Sequence, residues 1–454
     1  MQLKDIHTIY FVGIGGIGMS ALARYFNGRG VKVHGYDRTS TPLTQQLERE
    51  GMSIHYHEAP ELIPQGVDLV VYTPAVPSQH QELQYFHKHN FPIKKRAEVL
   101  GIISRGMKTV AIAGTHGKTT TSSITAHLLR HGGLDCTAFL GGIAQNYGSN
   151  FIAGKGDWVV VEADEFDRSF LQLSPDLAGI LSMDADHLDI YGDEKSLLET
   201  GFGAFVDRLK PEGKVWVQKN FASYFNGNPA IETFGADMGT YQSKNIRVED
   251  GYFVFDYENP EQTMKGLKFT MPGKHNVENA TLAINVALEL GISKEKIREG
   301  LSNFKGIQRR FELVYRDDQV AYYDDYAHHP TELNAAIEAA KTLFPTKKIT
   351  GIFQPHLYSR TRDFADGFAQ ALDQLDELLL LDIYPARELP IEGVTSDMLV
   401  QKMKNKTVKR VSLGDAMNEL ENRSLEVLLS LGAGDISTLV PKIRRYLQTT
   451  VKTQ

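Results

Sequence analysis

The sequence predicts an α/β protein of parallel sheets arranged in three successive domains. Short β-rich apolar runs alternate with Ala/Leu-rich helical patterns, which is how sheets with crossover helices read. Two of those runs end in glycine-rich turns that open a helix, at Gly13–Gly18 and at Gly114–Thr120. The length, 454 residues, suits about three domains of ordinary size.

Taken in order, Thr8–Val12 reads as a strand that runs into glycines, and Met19–Phe26 as a helix. Val31–Tyr36 and Val67–Tyr72 follow as strands, the first ending at Asp37. Lys108–Ala113 is a further strand, leading through GTHGKTTT into a helix that runs to Arg130. Trp158–Ala163 and Leu177–Met183 are strands with acidic exits, and Lys214–Gln218 another strand. Gly235–Thr270 alternates polar and aromatic residues and reads as an antiparallel patch, and His275–Leu290 reads as a helix. A new alternation begins near Phe311, with strands at Val320–Asp324, Lys348–Phe353, Glu377–Leu381 and Glu426–Leu431 and helices at Glu332–Leu343 and Phe364–Leu375. The domains expected are 1–107, 108–311 and 312–454.

With 49 Lys+Arg against 56 Asp+Glu, the net charge of −7 argues against a nucleic-acid scaffold held by bulk charge. Hydrophobic residues at 42% are enough to build cores, which excludes disorder of the whole chain. The single cysteine, Cys136, excludes an intramolecular disulfide and a Cys-cluster zinc site, fits a reducing compartment, and reads as an apolar filler. The N-terminal MQLKDIHTIYFVGIGG lacks the pattern of a signal peptide, and no stretch approaches the ~20 apolar residues of a membrane span. A cytoplasmic protein is expected.

The most specific motif is Gly114-Thr115-His116-Gly117-Lys118-Thr119-Thr120, between a strand and a helix. Glycines let backbone N–H groups face phosphate oxygens at a helix N-terminus. Lys118 would bridge the β- and γ-phosphates, and the Thr119 hydroxyl would hold Mg²⁺. The motif is a variant, because Ile112 stands where a strict P-loop has its first glycine. Gly13, Gly15 and Gly18 match GxGxxG, with Gly16 inside it and Asp37 about 20 residues on. This reads as a pyrophosphate cradle with an acidic ribose contact, or as tight strand–helix packing.

Glu162-Ala163-Asp164-Glu165-Phe166-Asp167 and Asp184-Ala185-Asp186-His187-Leu188-Asp189 are acidic strand exits that could supply Mg²⁺ ligands. Asn276 and Asn279 share a helical face and suit a base edge, a phosphate or an N-cap. Gln308-Arg309-Arg310 could reach a phosphate. Asp324-Asp325-Tyr326-Ala327-His328-His329-Pro330-Thr331-Glu332 pairs carboxylates and histidines at a strand end, with Thr331 as the helix cap, and Arg360 in the next motif is a candidate carboxylate fork.

Eight stretches (GIGGIGMS, GTHGKTTT, VEADEFDRSF, DADHLDIYG, KHNVENA, GIQRRFE, DDYAHHPTE and FQPHLYSRT) lie in the order found in the Mur ligases, and the chain resembles that family. The resemblance implies a Rossmann-like UDP-sugar domain, a P-loop ATPase domain with a central parallel sheet, and a C-terminal Rossmann-like α/β domain. It implies ATP-dependent ligation of L-alanine to the lactyl carboxylate of UDP-N-acetylmuramate in peptidoglycan synthesis, through an acyl phosphate and a tetrahedral intermediate. The cofactors so implied are ATP and Mg²⁺, and the assembly a monomer or homodimer. By motif match, Lys118 meets the γ-phosphoryl, Thr119 and Glu162 hold one Mg²⁺, and His187 a second. Asn276, Asn279 and Arg310 contact ATP, and Asp325 serves the nucleotide side of the last domain. His328, His329 and Arg360 shape the alanine pocket, and Gly13 to Gly18 cradle the diphosphate.

Leu357 stands where several family members carry an arginine that holds the amino acid, which leaves Arg360, alone or with Arg362, for that task. Sister ligases use a carbamylated lysine after the DH motif. Ser196–Leu209 contains no lysine, which agrees with the branch that adds the first amino acid. The rival readings are the tripeptide ligase of cell-wall recycling, a nicotinamide oxidoreductase resting on GxGxxG alone, and a non-catalytic nucleotide-binding protein.

Overall fold

The computed structural model describes residues 3–184, 191, 193–225, 227–228, 230–386, 388–404 and 407–450. The chain divides into two compact units: Met1–Lys244 with Asp256–Leu267 and Glu278–Phe304, and Asn245–Phe255 with Lys268–Val277 and Lys305–Gln454.

The first unit opens on a five-stranded parallel sheet. Its order is Ser53–His55, Lys32–Tyr36, Thr8–Val12, Leu69–Tyr72, Ile93–Lys95. The chain leaves Thr8–Val12 for one neighbour and later returns on its other side, so the carboxyl end of that strand faces a topological crevice. All five of its residues are buried, as both faces of a parallel strand require.

A ten-stranded sheet follows, in which Lys108–Ala113 lies between Leu177–Ile180 and Trp158–Ala163. Ile112, the residue that spoils the strict P-loop pattern, is fully buried in this strand beside Gly179 and Glu162. The helix Ile17–Asn27 joins the two sheets. Its Met19–Phe26 stretch is buried all round, and Tyr25 meets Phe139 and Phe151 of the second sheet at 5.4 and 6.3 Å between ring centroids. Buried Arg24 pairs with Glu50 at 2.9 Å and with Asn150, so its charge is answered inside this layer. Cys136 is fully buried, and burial pushes its thiol up to about 11, as suits a filler.

The second unit holds a six-stranded sheet, in the order Glu312–Arg316, Ala321–Asp325, Val427–Leu431, Ile349–Phe353, Glu377–Leu380, Val408–Arg410. Only the first pair is antiparallel. Apolar clusters cover both faces, one around Leu333, Phe353 and Phe368 and the other around Tyr322, Leu379 and Leu428. That burial is why Val427–Leu431 is apolar almost throughout.

Several elements differ from the sequence reading. The strand after Pro175 stops at Ile180 rather than Met183, because Leu181–Asp184 bends to meet the turn at Gly114. The polar–aromatic stretch forms strands, but Ile231–Ala236 pairs parallel with Tyr241–Glu249 over Phe234–Ala236. Tyr358–Leu372 is two helices, parted at Phe364 (φ −114°). The helix Arg96–Gly106 and the hairpin Thr137–Ala144/Ser149–Ile152 have no counterpart in the sequence reading. Among the described residues, no helix is long and apolar enough to cross a membrane.

Candidate functional site

In the first unit, the strand Lys108–Ala113 delivers the chain into a turn that only glycine permits. Gly114 (φ +138°) lies so close to the next strand's exit that a Cβ would stand 2.9 Å from the Ser182 nitrogen. Gly117 (φ +83°) caps the helix Lys118–His131, and a Cβ there would meet Asn279 Oδ1 at 2.7 Å. Ser182 ties the turn down, since its Oγ accepts from the His116 N–H at 2.8 Å and lies 3.0 Å from Thr115 Oγ1. Thr115 Oγ1 accepts from the Asp184 N–H at 3.2 Å, and His116 Nε2 stands 3.4 Å from the Asp184 carboxylate.

Lys118 folds back across this turn. Its Nζ donates to the Gly114 carbonyl and to Glu165 Oε2, each at 2.7 Å. Burial opposes its charge, but Glu165 and Asp164 outweigh that effect and hold its pKa above the usual lysine value. Glu165 is buried, and the sequence places it only within an acidic motif. It lies 47 residues from Lys118 in sequence, so no local spacing could reveal the pair.

Glu162 points to the first turn of the same helix. It accepts from Thr119 Oγ1 at 3.1 Å, from Ser122 Oγ at 3.2 Å and from the Gly141 N–H. A Cβ on Gly141 would fall 2.4 Å from Glu162 Oε2, so glycine here leaves the carboxylate room. Burial raises the Glu162 pKa, opposed by the Gly141 N–H and by Lys118. A carboxylate held dry beside a hydroxyl favours an added cation, and both donors are oxygens, as Mg²⁺ requires. Thr120 is buried one residue further along the helix. His187 lies outside the described residues. Among the described residues, no cluster of three or more His, Cys, Asp or Glu side chains is arranged to hold a metal.

The other glycine turn ends the strand Thr8–Val12. The Gly13 and Ile14 N–H groups donate to the Tyr36 carbonyl at 2.8 and 3.0 Å, and Gly16 caps the helix Ile17–Asn27. Asp37, expected at a ribose, accepts the Gly15 N–H on Oδ2 at 2.7 Å and the Thr39 N–H on Oδ1 at 3.2 Å. It therefore braces the turn itself. At Gly18 a Cβ would stand 2.8 Å from Arg96 Nη1, a residue to which sequence reasoning gave no role.

In the second unit, two acids end the strand Ala321–Asp325. Buried Asp324 accepts from Arg309 Nε at 3.1 Å and from Ser430 Oγ at 2.5 Å. Asp325 accepts the Phe311 N–H at 2.6 Å and the Ala327 N–H at 2.7 Å. Burial, eased by Arg310, pushes its carboxyl up to about 6. The Arg309 and Arg310 guanidiniums stand 5.1 and 5.3 Å from the Tyr326 ring centre, so aromatic Tyr326 gathers both cations. His328 Nδ1 lies 3.1 Å from the Glu332 carboxylate and 3.0 Å from the Tyr326 carbonyl. His329, rather than Thr331, is the helix cap: its Nδ1 accepts the Thr331 N–H at 3.3 Å.

Arg360 lies on the short helix Tyr358–Asp363, whose cap Leu357 adopts φ +70°. Arg362 is exposed and pairs with Asp363 at 2.7 Å. The helix Lys274–Glu289 carries both asparagines. Asn279 approaches Gly117 in the first unit, whereas in the second Asn276 is buried and donates to the Pro272 carbonyl at 2.6 Å.

Three family models match the chain: the Mur ligase catalytic domain over residues 8–108, the Mur ligase middle domain over 112–287 and the glutamate ligase domain over 309–442. The UDP-N-acetylmuramate–L-alanine ligase of Flavobacterium johnsoniae is 48% identical, over 99% of this chain and 100% of that protein. That of Cytophaga hutchinsonii is 47% identical, over 98% and 97%. Among solved structures, the UDP-N-acetylmuramate–alanine ligase of Thermotoga maritima matches with a TM-score of 0.84 at 30% identity, covering 97% of this chain and 99% of that one. A murein peptide ligase of Psychrobacter arcticus shares the fold, with a TM-score of 0.71 at 23% identity over 96% and 98%.

Proposed function

The chain belongs to the Mur ligase family, and from that premise we propose its reaction. It is an ATP-dependent ligase that joins L-alanine to the lactyl carboxylate of UDP-N-acetylmuramate, the first peptide-stem step of peptidoglycan synthesis. The observation that carries this is 48% identity over 99% of the chain to a ligase of that name. On this reading the protein acts in the cytoplasm.

A carboxylate is a poor electrophile, so ATP first converts it to an acyl phosphate. The unprotonated alanine amine then attacks the acyl carbon, and the tetrahedral intermediate expels phosphate. Most of the rate comes from positioning and from cations set against developing charge. In this reading Lys118 exchanges Glu165 for the transferring phosphoryl oxygens. Gly114, Thr115, His116, Gly117 and Thr120 wrap the phosphate chain, and Asn276, Asn279 and Arg310 contact the rest of ATP. Mg²⁺ bound with ATP neutralises phosphate charge, and Thr119 and Glu162 would hold it. By motif alone, His187 would hold a second ion. Gly13, Gly15, Gly16 and Gly18 cradle the diphosphate, with Asp37 bracing that turn. Asp325 serves the nucleotide side of the C-terminal domain, and His328, His329 and Arg360 form the alanine pocket. The working domains are 1–107 for UDP-sugar, 108–311 for ATP and 312–454 for the amino acid.

The test is phosphate release with Mg-ATP and UDP-N-acetylmuramate, adding L-alanine, glycine, L-serine or the L-Ala-γ-D-Glu-diaminopimelate tripeptide one at a time. Release fastest with L-alanine, with the product mass verified, is expected. Release with the tripeptide alone would make the chain a recycling ligase instead.

A further inference from the structure

We propose that Arg96 is a binding residue for the sugar nucleotide, gripping an oxyanion of that ligand between the Gly13–Gly18 turn and the acids after Ala163. The inference rests on the reading of the chain as a UDP-sugar ligase and names a residue which that reading leaves out.

The glycine turn carries no cation of its own. From Gly13 to Ser20 there is no lysine or arginine, and the Gly15 N–H already donates to Asp37. A ligand with two or three negative charges needs a positive side chain there. Arg96 brings one from a distant element. It is the first residue of the helix Arg96–Gly106, and its guanidinium lies against Gly18, where a Cβ would fall 2.8 Å from Nη1 and 3.0 Å from Cδ. Gly18 thus leaves room for the Arg96 side chain to pass over it.

The guanidinium has donors in hand. Its nearest acid is Asp164, 3.8 Å away, beyond hydrogen-bond length, and the two side chains are 25% and 36% exposed. Asp164 is otherwise engaged, since its Oδ1 accepts the Phe166 N–H at 3.3 Å. Arg96, Glu162, Asp164 and Ser169 line one small cavity, so Arg96 shares a wall with the carboxylate that meets Thr119.

The frame around Arg96 is firm. The Lys95 N–H donates to Glu98 at 2.7 Å, closing the start of the helix. Gly101 lets the helix press on Gln172, where a Cβ would fall 2.5 Å from the carbonyl oxygen. Lys95 Nζ bonds Asp167 at 3.3 Å, and Asp167 and Arg168 both hold left-handed backbone (φ +52° and +54°). Two adjacent non-glycine residues in that region store strain, and the surrounding contacts must hold them there. Arg96 therefore stands at a fixed point on the way from the diphosphate turn to the phosphoryl-transfer acids. The shared chemistry of its ligand is an oxyanion, supplied by the diphosphate or by the lactyl carboxylate.

The test is calorimetric titration of the full chain, without ATP, using UDP, UDP-N-acetylglucosamine and UDP-N-acetylmuramate in turn. Arg96→Ala is expected to weaken UDP-N-acetylmuramate at least tenfold while ADP affinity stays within twofold. An equal loss for all three ligands assigns the diphosphate, and a loss for UDP-N-acetylmuramate alone assigns the carboxylate. Affinities within twofold of wild type for all three overturn the proposal. If Arg96→Ala does not fold, Arg96→Lys keeps the stem and the charge but not the fork, and a threefold or greater loss is expected. An unchanged affinity in that variant overturns the proposal as well. Wild type that binds none of the three would sink the UDP-sugar reading itself.

Discussion

Two glycine turns stand at strand ends in the first unit, and they manage charge in opposite ways. At Gly13–Gly18 an acid holds the turn: Asp37 takes the Gly15 N–H, and Arg96 comes from a distant helix. At Gly114–Thr120 the turn carries its own cation, Lys118, already paired with a buried acid from across the sheet. The contrast teaches that a glycine pattern specifies room for a ligand but not how its charge is answered. One turn answers within seven residues of its first glycine, the other through the fold.

The largest effect is expected where the cation is local. Lys118→Ala should lower kcat by at least about a thousandfold, roughly 4 kcal/mol of transition-state stabilisation. Near-normal turnover would erase the distinction between the turns.

A strand end in the second unit extends the comparison to an acid with neither glycine turn nor lysine. Asp325 has its pKa raised from 3.8 to about 6 by burial. Below about pH 4 both folded and unfolded chains hold this proton. Between about pH 4 and 6 the unfolded chain releases it first, so stability falls across that window and levels off above it. The contribution is about 3 kcal/mol. Urea unfolding of wild type against Asp325→Asn should show wild type losing ground from pH 4 to 6. A constant gap would mean that the carboxyl is not desolvated.

Glycine itself separates the turns next. Gly117→Ala meets both φ +83° and Asn279, and should cost about 1–3 kcal/mol in thermal unfolding. Gly16→Ala, at φ −63° with the nearest atom at 3.6 Å, should cost less than about 0.5 kcal/mol. Equal losses would show that the strain at Gly117 is not the deciding term. A smaller effect than at Gly117 is expected for Asp37→Asn, which keeps an acceptor for Gly15 but drops its charge. A loss of about 1 kcal/mol or less is expected, with ADP affinity unchanged. Weakened ADP binding would mean that the two turns are coupled.

The central strands are legible in the sequence because each is an apolar run with an abrupt exit, in glycine after Val12 and Ala113 and in acids after Ala163. The hairpin around Gly141 is hidden because Gly141-Gly142 reads as a break, whereas the first glycine lies in a strand and leaves room for Glu162. The helix Arg96–Gly106 is hidden because it begins in Lys95–Arg96 and carries Gly101, set against Gln172. Among site residues, those in contiguous motifs can be read from the chain. The pairing of Glu165 with Lys118, and the places of Ser182 and Arg96, come from neighbours that only the sheet order brings near.

In the proposed reading, the resting contact between Lys118 and Glu165 makes nucleotide capture an exchange rather than an addition. A phosphate arriving at this turn meets an internal competitor that is already bound, and it succeeds only with help from contacts made elsewhere. Free phosphate or sulfate, lacking that help, is a weak rival for the position. On that reading the turn would favour a complete nucleotide over a bare phosphate, because contacts made away from the lysine add to the exchange.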